Sequence, residues 1–109
     1  MPSTTKHSIE LDSEQLETVE IALDVLMRLG MGQFDIINYL ISLGVVMHKS
    51  DKGVSLASHE LNEDARDITR KLEELLGYGE STLGIYNTSV NNHAKRAYDL
   101  KHLIKKERR

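Results

Sequence analysis

The sequence contains no cysteine and no tryptophan, and only one proline and one phenylalanine in 109 residues. Without cysteine there is no disulfide framework, no thiolate metal ligand and no thiol nucleophile, and nothing reports on a redox compartment. Long apolar runs are also missing. The longest nearly apolar stretch, Phe34 to Met47, is broken by Asp35, Asn38, Ser42 and Gly44 and falls short of the roughly 20 residues a membrane-spanning helix needs. The opening residues MPSTTKHSIEL hold no apolar secretory core. With neither signal, the expectation is a cytoplasmic protein with no membrane attachment.

What is present is the composition of one small domain, 39% hydrophobic and 28% charged. A chain of this size can bury roughly 60–70% of its unfolded surface, enough for one core and not for two. Residues 1–8, polar and without periodicity, read as a flexible leader, and 9–109 as a single helical domain. The net charge of −3 conceals a division. Residues 1–90 carry seven Lys/Arg against fifteen Asp/Glu, whereas 91–109 carry seven against two. An acidic body with a basic C-terminal helix over 90–109 can attract nucleic acid, an anionic ligand or an acidic partner, or the helix can pack on its own body.

Hydrophobic periodicity predicts about four helices. Asp12 or Ser13 can cap a first helix with Glu14 and Glu17 in its opening turn. Leu16, Val19, Leu23, Leu26 and Gly30 then recur at three and four residues. After the Gly30-Met-Gly32 corner a second helix is expected over Gln33–Leu43. Its apolar residues surround most of the axis, which places it at the centre of the fold or in a subunit interface. Gly44 is a plausible terminator. A third helix over Asn62–Leu76 has the cleanest stripe, Leu61, Ala65, Ile68, Leu72, Leu75 and Leu76, and ends at Gly77. Tyr78 to Thr88 reads as an ordered connection. A last helix starts near Ser89–Asn92, with Ala94, Ala97, Leu100 and Ile104 inward. The expected fold is therefore all-α, a compact bundle of about four helices, with room for either a short N-terminal extended segment at Ile9–Leu11 or a small hairpin near 45–56. The stretch 45–56 reads as a loop in preference to a small hairpin.

Most catalytic signatures fail on spacing. His59-Glu-Leu-Asn-Glu63 begins like a zinc-protease helix but has Glu63 where the second histidine ligand belongs. Gly84-Ile-Tyr86 is three letters of a nuclease signature without its companion motif. Asp51-Lys-Gly53 lacks the spacing of a phosphate-binding loop, and no GxSxG elbow occurs. These gaps argue against an enzyme and imply no metal or cofactor.

Two segments gather groups suited to binding. In Arg28-Leu-Gly-Met-Gly-Gln-Phe34, Arg28, Gly32 and Gln33 meet at a helix corner where free N–H groups favour an anion. The competing reading is structural, with Arg28 paired to Asp24 or Asp35 and Gln33 bonded to the loop. In the second segment, Tyr86, Asn87, Arg96 and Tyr98 offer flat faces and a fork of donors to a planar or phosphorylated ligand, or else the tyrosines are packing residues. A nucleic-acid alternative rests on Lys95, Lys101, Lys105, Lys106 and Arg108 in the basic helix.

The first amphipathic helix running into Arg28–Phe34, and the late Gly84-Ile-Tyr86 followed by Ala97-Tyr-Asp99, resemble a group of small uncharacterised proteins encoded by bacteriophages and phage-derived bacterial genes. The likeness spans most of residues 9–104. It implies a small accessory protein in a bacterial cytoplasm, acting between phage and host by binding. The expectation is a non-enzymatic homo-oligomer that binds an anionic small molecule of nucleotide type or a host protein. The alternative is a transcriptional regulator that lays its basic C-terminal helix on nucleic acid.

Overall fold

The computed structural model describes residues 5–107. Along the chain it contains α1 (Ser13–Gly30), α2 (Ile36–Ser42), β1 (His48–Ser50), β2 (Gly53–Ser55), α3 (His59–Leu75) and α4 (Asn92–Glu107). The fold is mostly helical, with one two-stranded antiparallel sheet. No described helix is long and apolar enough to cross a membrane.

Local chemistry sets the helix ends. The Asp12 carboxylate accepts from the Gln15 N–H at 2.8 Å, and the Gln15 side chain returns the bond to the Asp12 N–H at 3.0 Å. Two of the orphan donors at the start of α1 are thereby satisfied. Ser58 caps α3 by one bond, its hydroxyl accepting the Leu61 N–H at 3.1 Å. At the far end of α1, Gly32 adopts φ +85°. Its N–H bonds the Leu29 carbonyl, and the Gln33 N–H reaches back to the Arg28 carbonyl. This is the glycine-dependent pairing that consumes terminal carbonyls, and Gly77 closes α3 likewise.

Two expectations are corrected. The segment expected to be a loop forms a hairpin, with His48 opposite Ser55 and Ser50 opposite Gly53. Gly53, at φ +118°, supplies the positive torsion beside the two-residue Asp51-Lys52 turn, and the Ser50 hydroxyl accepts the Lys52 N–H. The second helix is seven residues, not eleven, and its position is not central. Ile36 and Asn38 are buried, whereas Tyr39 and Leu43 are about half exposed.

The core lies between α1 and α4, where Met27, Met31 and Ala97 are buried and Leu23, Ile85 and Tyr98 pack around them. Gly30 and Ala94 let the two backbones approach closely. The connection before α4 is ordered as expected. Tyr78 lies against Gly32 and meets Phe34 edge to face at 6.1 Å, and the Leu83 N–H bonds the Met31 carbonyl. Leu100, expected inward, is 47% exposed, because α4 turns Lys101 towards α1 instead.

The third helix touches α2 and no other described element. Its buried residue is Thr69, while the apolar stripe that made it the cleanest prediction faces out: Ile68 is 66% exposed and Leu75 79%. The chain is correspondingly open. Its radius of gyration is 16.7 Å, against about 13 Å for a compact domain of this length.

Candidate functional site

The Arg28 corner is closed on itself. Arg28 Nε donates to Asp24 Oδ2 at 2.9 Å, and Nη1 donates to Gln33 Oε1 at 3.0 Å. Lys101 Nζ donates to the other carboxylate oxygen of Asp24 at 2.7 Å. One carboxylate thus holds two cations that sequence reasoning assigned to different ligands. Of the two readings for this corner, the local pairing of Arg28 with Asp24 describes the geometry. Gly32 is buried against the Tyr78 ring.

Burial raises the pKa of Asp24, but the bonds from Lys101 and Arg28 outweigh it and hold the carboxyl below its ordinary value. A group whose folded pKa is depressed stabilises the fold above its unfolded pKa, about 3.9 for aspartate, and loses that contribution as pH falls through the folded value. Asp24→Asn is therefore expected to cost about 1–2 kcal/mol at pH 7, on the scale of charged hydrogen bonds at a partly exposed site. Urea titrations at pH 7 and pH 3 check this. The gap between variant and wild type shrinks at pH 3; an equal gap at both pH values would show that the charge is not responsible.

The second segment is split in two. Tyr86, 77% exposed, meets Tyr98 edge to face at 5.7 Å, and Tyr98 continues to the His102 ring at 4.3 Å. The neighbouring Tyr98 side chain, slight desolvation and the nearby Asp99 raise the pKa of Tyr86 above its ordinary value. Asn87 turns back to accept the Ser89 N–H at 2.8 Å, closing the loop that presents Tyr86. Arg96 is not part of this row. At about 100° per residue it lies roughly 160° round α4 from Tyr98, and its guanidinium meets His93 Nδ1 at 3.2 Å.

Comparison with protein-family models, curated proteins and solved structures found no match to this chain.

The basic helix divides similarly. Lys101 is 20% exposed and committed to Asp24. Lys95, Lys105 and Lys106 lie within about 80° of Tyr98 around the helix, with Lys105 and Lys106 exposed in its last turn. Arg108 lies outside the described residues. His102, which sequence reasoning did not single out as a site residue, belongs to the ring row; its i+4 spacing from Tyr98 was the available signal.

A concavity of about 780 Å³ opens between α2 and α3. It includes Gln33, Arg66 and Arg70, but Asp35, Glu73 and Glu74 share it. The mixed charge suits no one sign of ligand, and sequence reasoning did not single out its arginines.

Proposed function

We propose that the protein is a non-enzymatic accessory binding protein that takes a planar anionic ligand of the nucleotide class on one edge of α4. The supporting observation is the row Tyr86, Tyr98 and His102, with Tyr86 77% exposed and three lysines on the same side of the helix. Exposed aromatic faces stack on any base, and lysines at one end meet phosphate. Asp99 lies near Tyr86, so the base belongs at the Tyr86 end and the phosphate towards Lys105 and Lys106. In this reading the protein works in a bacterial cytoplasm and alters a host process by capturing such a ligand, as its resemblance to phage-encoded proteins implies.

Fluorescence anisotropy with labelled adenosine monophosphate and a labelled ten-residue oligothymidine tests this at several salt concentrations. Tyr86→Ala is expected to weaken binding about tenfold, the lower part of the range for loss of one stacked base. Lys105→Glu with Lys106→Glu flattens the salt dependence. Binding of the oligonucleotide alone, with a steep salt slope, moves the assignment to the nucleic-acid alternative. No binding of either probe at low salt, or wild-type affinity in Tyr86→Ala, overturns the site.

A further inference from the structure

We infer that the outward face of α3 is covered by the same face of a second copy of the chain, with the two α3 helices antiparallel about a twofold axis beside Ile68. The inference uses a different surface from the α4 edge and stands independently of the ligand reading.

The face is a seam, not a scatter. Leu61, Ala65, Ile68, Leu72 and Leu75 recur at alternating intervals of four and three, the 3.5-residue repeat with which helices pack against helices. Among the described residues no element but α2 packs on α3, and the seam stays open at Ile68 and Leu75, 66% and 79% exposed, while Leu61 and Leu72 are partly covered at 40% and 37%. The edge of α3 that meets α2 is the polar one, where Asn38 bonds Asn62 and Thr69, and it lies about 100° from Ile68.

The area fits a partner of the same kind. The chain exposes 8721 Å², whereas a compact 12.4 kDa monomer exposes about 6,100 Å². Part of the difference belongs to the exposed residues 5–12 before α1. The remainder is shared between the α3 face, where Ile68 and Leu75 stand open, and other open apolar residues such as Val45, Val54 and Leu56; a standard interface conceals about 800 Å² per partner.

Charge selects the second copy and its direction. Asp64 and Lys71 flank the seam on the side away from α2, and neither makes an ion pair among the described residues. An antiparallel copy centred between Asp67 and Ile68 puts each Asp64 beside the other chain's Lys71, twice by symmetry. A parallel copy would set Lys71 against Leu76 and Asp64 against Thr69, on the edge its own α2 occupies.

The test is the mass of the full chain by light scattering and sedimentation between 1 and 100 μM, with the helical circular-dichroism signal alongside. Wild type is expected to be a dimer, and a monomer at 100 μM overturns the proposal. Ile68→Glu, which buries two carboxylates at the axis, is expected to weaken association at least about 100-fold; an unaffected dimer places the interface elsewhere. Lys71→Glu weakens it and the exchange Asp64→Lys with Lys71→Glu restores it, with no rescue counting against the register. Because the chain has no cysteine, single substitutions report direction cleanly, whether or not Ile68→Glu folds. Ile68→Cys is expected to cross-link between chains on oxidation. Leu61→Cys is not, since the antiparallel register separates the two sites by about 20 Å at 1.5 Å per residue. Equal cross-linking at both positions would mean a parallel pair and overturn the arrangement.

Discussion

Asn38→Ala is expected to loosen α3 from the rest of the chain at a cost of about 2–4 kcal/mol. Asn38 is 2% exposed, and its side chain is the bolt between α2 and α3. The amide Nδ2 donates to Asn62 Oδ1 at 3.1 Å and to the Asn62 carbonyl at 3.3 Å, while Oδ1 accepts the Thr69 hydroxyl at 3.0 Å. Asn62 returns a bond to the Asn38 carbonyl at 3.2 Å. Truncation removes both side-chain roles at once and leaves partners unpaired in a part-buried contact that borders the α2–α3 concavity, where each unsatisfied group costs roughly 1–3 kcal/mol. Thr69 retains its bond to the Arg66 carbonyl, which keeps the total below the sum of separate losses. Since α3 has no other described element to lean on, the loss is local. Native-state hydrogen exchange is the decisive measurement: amides in α3 lose protection while those of α1 and α4 keep theirs. Equal loss in all helices would show that the two halves unfold as one unit. Thr69→Val keeps the shape and removes one donor, and is expected to cost nearer 1 kcal/mol.

The same contact explains which parts of the fold were legible in advance. Helix limits are written in short-range chemistry, so Asp12 and Gly77 mark real ends, and the 3.6-residue period locates α1, α3 and α4 within a few residues. A stripe states that a face avoids water but not what covers it. In α3 the best stripe faces out because its neighbouring polar edge found a matching asparagine in α2. Asn38, an amide in an otherwise apolar helix, was the visible sign of a buried polar contact, and it was read only as a break in a hydrophobic run. The site was legible to the same local range. The i−4 spacing of Asp24 from Arg28 already offered the structural alternative at that corner, and the row from Tyr98 to His102 is an i+4 relation on one helix. Lys101 with Asp24 joins residues 77 positions apart, a distance at which no periodicity speaks. Arg96 was grouped with Tyr98 by closeness in sequence, although two residues along a helix face nearly opposite ways.

The second large effect is expected at Gly30, where helix propensity and packing make opposite predictions. Gly30→Ala removes a flexible residue from the last turn of α1, a change worth up to about 1 kcal/mol of stabilisation in an exposed helix. The backbone at Gly30 needs no left-handed torsion, so alanine brings no conformational strain. Its Cβ, however, would lie 2.4 Å from the Ala94 Cβ, far inside ordinary van der Waals contact. Neither atom is the tip of a flexible chain, so relief requires α1 and α4 to separate, and that disturbs the packing of Met27, Met31 and Ala97. Overpacking of this kind costs about 1–3 kcal/mol, and here it outweighs the helix gain: a net loss near 2 kcal/mol is expected by urea denaturation. Ala94→Gly alone also destabilises, by exposing backbone in α4 and leaving the contact underfilled. Combined, the two exchange which helix supplies the methyl group, and the double variant should recover most of the loss. A double-mutant cycle measures that coupling. Additive losses would mean the helices already accommodate the extra methyl by shifting elsewhere, and that the closeness of Gly30 to Ala94 does not set the spacing of α1 and α4.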